Sequence, residues 1–118
     1  DENGHYALSA SQLSHIPTAF ICSRDSSAYQ LLKILKEKNI RVPEDVSITG
    51  FDDYILSSLC TPKITTYSID VAKLTDSCIW LLLDRIAQPD RPLRHIVISG
   101  KIMERDSVRT LSTNPESR

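Results

Sequence analysis

Val42-Pro-Glu-Asp-Val-Ser-Ile-Thr-Gly-Phe-Asp-Asp53 is the stretch on which the reading of the whole chain turns. Pro43 fixes its own φ and disfavours helix at Val42, so the helical pattern that runs up to Asn39 must stop here. From Val46 to Gly50, apolar residues alternate with small polar β-formers, which predicts a short buried strand over 46–50. Asp52 and Asp53 then emerge together just beyond the carboxyl end of that strand, where open α/β sheets hold their ligands.

Upstream, Thr18-Ala-Phe-Ile-Cys-Ser23 is a short run of strand formers behind Pro17 and predicts a buried strand over 18–23. Ser23-Arg-Asp-Ser-Ser27 supplies helix-starting residues, with Asp25 placed to cap the next turn. Ala28, Leu31, Leu32 and Leu35 recur at helical spacing and predict a helix over 26–38, closed by Asn39 in a left-handed conformation with Ile40 folded back. Strand, helix and strand in this order imply an α/β unit with a right-handed parallel crossover.

Downstream, Tyr54 to Leu59 fits one or two helical turns, and Ile64-Thr-Thr-Tyr67 a further short strand. Asp70 is expected to cap a helix in which Val71, Leu74, Cys78, Leu81 and Leu82 share one side before Pro89 stops it. Residues 93–104 predict an extended segment bent at Gly100, with His95 partly buried in it. Only 18–23 and 46–50 read as strong parallel strands, fewer than a doubly wound sheet needs, so a partner for the chain is expected. Residues 1–16 predict a weakly ordered lead-in or partial helix, and 110–118 a loose polar tail.

Composition narrows the function classes. A formal net charge of −1 without a cluster of Lys and Arg argues against DNA binding by these residues alone. No apolar run reaches the roughly 20 residues needed to span a bilayer, and Asp1-Glu-Asn3 is unlike a signal peptide, so a cytoplasmic location is expected. Cys22, Cys60 and Cys78 are odd in number and never spaced C-x-x-C, so reduced thiols are expected, with no metal and no cofactor. With Gly4, Gly50 and Gly100 as the only glycines, the phosphate-cradling loops of nucleotide-binding folds cannot be built.

VPEDVSITGFDD at 42–53, TPKITTY at 61–67 and ERDSVR at 104–109 together resemble the carboxyl-terminal part of the LacI/GalR family of bacterial transcriptional regulators. The resemblance runs from about Pro17 to Arg109. It implies an α/β chain that forms part of a two-lobed, periplasmic-binding-protein-like (type I) fold with a parallel sheet and flanking helices. It further implies a small, sugar-like effector, a homodimer through the faces around 26–38, 54–60 and 70–87, and DNA contact only through a head outside this chain. Helix 70–87 would belong to the opposite lobe, and the strand 64–67 would cross between lobes.

The candidate effector-binding residues are Arg24, Asp25, Asp52, Asp53 and Ser68. Asp25 matches the family's acidic effector contact, besides its expected capping role. Arg24 departs from the Asn or small residue expected before that aspartate. Its guanidinium could hold a carboxylate or phosphate on the effector, or could simply pair with Asp25. Asp52 and Asp53 are read as ligand-facing or turn-capping rather than as an acid–base pair, because neighbours at a strand end diverge. Trp80 and Tyr67 could stack on a sugar, though Trp80 reads more simply as packing. No nucleophile constellation is present in the sequence, so no enzyme is expected. A phospho-acceptor receiver domain would require a different spacing of aspartates and a late Lys-Pro. The remaining alternative is a fragment of a sugar-type periplasmic solute-binding protein, which shares the two-lobed architecture.

Overall fold

A computed structural model of the chain describes residues 16–110. The expected lead-in and tail, residues 1–15 and 111–118, lie outside the described residues. Seven elements follow one another: β1 (Ala19–Ile21), α1 (Asp25–Glu37), β2 (Ser47–Phe51), α2 (Ile55–Leu59), β3 (Thr65–Ser68), α3 (Val71–Ala87) and β4 (Lys101–Met103). They build a four-stranded sheet in the order β1-β2-β3-β4. β1, β2 and β3 are parallel, and β4 returns antiparallel to β3. The fold is therefore α/β with a mostly parallel sheet.

This corrects the strand count. The segment read as a strand crossing between lobes is a full partner of β2, with Thr49 opposite Thr65 and Phe51 opposite Tyr67. Its four residues are mostly threonine and tyrosine, too polar to stand out as a buried strand, yet Thr65 and Thr66 are both buried.

The apolar face of α1 lies on the sheet as its periodicity requires. Ala28, Leu31, Leu32 and Leu35 pack with Val46, Ile48 and Ile64 into one core. Each leucine or isoleucine so buried contributes roughly 1.5–3 kcal/mol. The far end of α1 closes as its sequence predicts. Asn39 has φ 58°, the Ile40 N–H donates to the Leu35 carbonyl at 2.9 Å, and the Asn39 N–H donates to the Lys36 carbonyl at 3.1 Å. These are the paired bonds of a Schellman motif.

The segment after β4 runs back to fasten the sheet. The Ile48 N–H donates to the Ser107 carbonyl at 2.9 Å. Ser107, fully buried, accepts the Thr65 N–H at 2.8 Å through Oγ and donates to the Ile48 carbonyl at 2.6 Å. One residue thus supplies what β2 and β3 would otherwise lack where their pairing ends.

α3 starts where Asp70 caps it, accepting the Lys73 N–H at 3.0 Å. None of its residues is buried: Val71, Ile79, Leu82, Leu83 and Ile86 are all exposed. Such an apolar surface on a helix is one that another surface covers. The sheet face away from α1 is also open among the described residues, with Ile21 90% exposed. His95, expected to be partly buried, is exposed, and residues 93–100 form no strand.

Candidate functional site

The carboxyl ends of β1, β2 and β3 and the amino end of β4 meet on one side of the sheet. They bring most of the expected residues to this side, in unequal roles. Asp25 does not cap α1. The N-cap position belongs to Arg24, whose extended backbone carries no capping side-chain bond. Asp25 instead turns inward from the first turn and is 1% exposed. One carboxyl oxygen accepts the Thr66 hydroxyl and the other the Tyr54 N–H, each at 2.6 Å. The expected Arg24–Asp25 pair is absent; Arg24 is exposed and in no ion pair among the described residues.

Gly50 explains why Asp25 can lie there. A Cβ on residue 50 would collide with Oδ1 of Asp25 and come within 3.2 Å of its Cα. The glycine that ends the alternating run is thus a slot for a carboxyl group. Gly100 is required in the same way, since a Cβ there would meet the Ser68 carbonyl and the Tyr67 ring.

Asp52 and Asp53 both have positive φ, 96° and 54°. Aspartate tolerates this region better than most side chains, at a cost of roughly 1–3 kcal/mol where it is held there. The two side chains part. Asp52 is exposed, whereas Asp53 forms an ion pair with Arg105. Burial works against ionisation of Asp53, but the Arg105 hydrogen bond and the Arg105 and Lys101 charges outweigh it and hold its carboxyl below the usual range. Neither aspartate caps α2, whose N-cap is Tyr54.

Arg105 also donates to the Ser57 hydroxyl at 2.7 Å and to the Ile64 carbonyl at 2.9 Å. It lies in the ERDSVR segment, which the sequence marks only as a motif. Its partners are 41 to 52 residues away in the chain, so no local pattern could reveal its role.

Two clefts open at this end of the sheet. Arg24, Asp25, Ser26, Asp52 and Tyr54 line one of about 220 Å³. Ser68, Asp70, Ser99, Gly100 and Lys101 line the other, of about 500 Å³. Ser68 therefore lies apart from Arg24 and Asp52. Tyr67, considered as a stacking surface for a sugar, is held by the Gly100 N–H on its hydroxyl at 2.8 Å. It stacks on Phe51 at 5.3 Å between ring centroids, and Phe51, not singled out in the sequence, is the more exposed ring. Trp80 is paired with Arg94, 5.1 Å from the ring centre. Burial, helped by the charge of Asp25, raises the Cys22 thiol above its ordinary value. That disfavours the thiolate.

A family model for a periplasmic binding protein-like domain matches residues 1–108, which extends upstream of the Pro17 at which the motif resemblance begins. The chain is 37% identical over 101 residues to a probable HTH-type transcriptional repressor, ExuR, of Bacillus subtilis, covering 86% of this chain and 30% of that protein. It is 34% identical over 101 residues to the HTH-type transcriptional repressor PurR of Vibrio atlanticus, again covering 86% of this chain and 30% of that protein. Among solved structures it resembles a LacI family transcriptional regulator from Enterococcus faecalis with bound ribose, at TM-score 0.79 and 30% identity, over 85% of this chain and 38% of that one. A complex of the transcriptional regulator CelR with cellobiose matches at TM-score 0.73 and 27% identity, over 76% of this chain and 28% of that one. The chain thus spans about three-tenths of the length of the two repressors.

Proposed function

We propose a function from one premise: this chain belongs to the periplasmic binding protein-like domain family and, within it, to the LacI-type transcriptional regulators. In this reading, residues 17–109 are the carboxyl-terminal part of an effector-binding and dimerisation domain. The whole protein binds a small polar, sugar-like molecule and answers by changing its affinity for DNA through a head outside these residues. It works in the cytoplasm as a homodimer and is not an enzyme. The relatives named above are regulators, which favours this over a periplasmic solute-binding protein of the same architecture.

One observation carries the proposal. At the carboxyl end of the sheet, buried polar groups are spent on one another, Asp25 on Thr66 and Tyr54, and Asp53 on Arg105, while Arg24 and Asp52 stay exposed around a cleft. A rigid inner frame presenting free outer groups suits the capture of a hydroxylated molecule at strand ends. The exposed apolar surface of α3 supports both lobe contacts and a subunit interface.

The test uses the full-length protein. A thermal-shift screen of sugars, sugar phosphates and nucleobases should find a ligand that raises the melting temperature. The same ligand should change affinity for DNA from the protein's own promoter region by at least about fivefold. A ligand that binds tightly without altering DNA affinity would refute the regulatory role, and sedimentation as a monomer at every concentration would refute the dimer.

A further inference from the structure

Arg24 is an uneconomical choice for its position. It occupies the N-cap of α1 without making a capping bond, where Ser, Asp or Asn would satisfy an orphan amide. It also sets a positive charge at the positive end of a 13-residue helix, the less favourable end for a cation. No ion pair among the described residues offsets this. The ion pairs there are Arg41–Asp45, Arg91–Asp84 and Arg105–Asp53, and the carboxyl group nearest in sequence, Asp25, is taken by Thr66 and Tyr54.

Arg24 nevertheless lines the cleft of about 220 Å³, together with Asp25, Ser26, Tyr54 and the exposed Asp52. The volume is below the roughly 300–1,000 Å³ of a whole ligand pocket, so this wall grips one end of a small molecule. The wall has one planar cation suited to bidentate binding of a carboxylate or phosphate. Beside it are two carboxyl groups, Asp25, already bonded to Thr66 and Tyr54, and Asp52, exposed and able to accept from vicinal hydroxyls, with the small hydroxyl of Ser26.

Resting on the reading of this cleft as the effector site, we infer that the effector is an anionic polyol, a sugar acid or sugar phosphate, whose acidic group is held by Arg24 and whose hydroxyls are held by Asp52. A neutral sugar would offer the guanidinium no anionic group. A neutral nucleobase would offer none either, and would give Asp52 no pair of hydroxyls.

The experiment is calorimetric titration of the full-length protein with matched probes: D-glucuronate and glucose 6-phosphate against D-glucose, and ribose 5-phosphate against D-ribose. At least one anionic member is expected to bind tenfold or more tightly than its neutral parent. Whether glucuronate or the phosphates bind separates the carboxylate from the phosphate source. Arg24→Gln should weaken that anion roughly ten- to a hundredfold, weaken the neutral parent far less, and not lower the unfolding midpoint. Arg24→Lys should restore part of the affinity, since the charge returns but the fork does not. Equal binding of anion and parent, an Arg24→Gln variant that keeps the preference, or no binding by any anionic probe would each overturn the assignment. The effector-site reading itself stands or falls separately, on whether any screened ligand changes DNA affinity.

Discussion

Replacing Gly50 with alanine puts a methyl group where Oδ1 of Asp25 lies. The carboxyl group is buried and must move, and it cannot move without loosening the 2.6 Å bonds to Thr66 and Tyr54. Overpacking of this kind costs about 1–3 kcal/mol. Asp25→Ala alone removes both bonds and leaves the Thr66 hydroxyl and the Tyr54 N–H without their acceptor, for about 3–5 kcal/mol in total. Were the two sites independent, the losses would add. They share one space, so alanine at residue 25 gives back most of the room that alanine at residue 50 needs. The relief is partial, because the Asp25 Cα, 3.2 Å from the added Cβ, remains. The double variant should therefore fall short of the summed losses by about 1–2 kcal/mol. Equilibrium urea denaturation of the full-length protein and its three variants, followed by circular dichroism, measures this coupling. Additivity within about 0.5 kcal/mol would show that Gly50 is not the slot for Asp25.

Asp53 gives a pH signature. Its folded carboxyl titrates below the unfolded value of about 3.9, so its contribution is fully present above that value and is lost as pH falls through the lower folded one. Urea midpoints collected from pH 6 down to pH 2.5 should show an acid limb that is shallower in Asp53→Asn, and an unchanged limb would exclude the pair as its source. Ser107→Ala strips a buried N–H of its acceptor and should cost about 1–3 kcal/mol by the same denaturation assay, whereas Ser107→Thr, which keeps the oxygen, should fail through crowding instead. A neutral Ser107→Ala would mean that the strands close without this side chain.

Much of the frame was legible because it is written at short range. The 3.6-residue period of Ala28, Leu31, Leu32 and Leu35, the left-handed Asn39 and the Asp70 cap each depend on neighbours within a turn or two. The site was legible as a location, since strand ends follow from strand positions. The division of labour within it was not. Whether a first-turn aspartate caps its helix or turns inward depends on the absence of a side chain at residue 50, on another element. Asp53 and Arg105 are 52 residues apart, as are their roles from any local pattern. β3 was undervalued for a related reason: threonine is an ambiguous core residue until its hydroxyl partner is known, and the partner of Thr66 is Asp25, 41 residues upstream. His95 failed the other way, because an apolar neighbourhood in sequence gave it no covering element in space.

The fastening of Ile48 by Ser107 also bears on how the protein is made. The two residues are separated by 59 positions, and translation proceeds at roughly 5–20 residues per second. The inner strand thus leaves the ribosome about 3–12 s before the residue that completes its hydrogen bonding can be added. During that interval β1, α1 and β2 can associate locally, but one margin of the nascent sheet has unfilled donors and acceptors of the kind that recruit other strands. Final closure waits for a segment made well after β1, α1 and β2, so a chain cut before residue 107 would have its helices and most of its apolar core and still lack its seal.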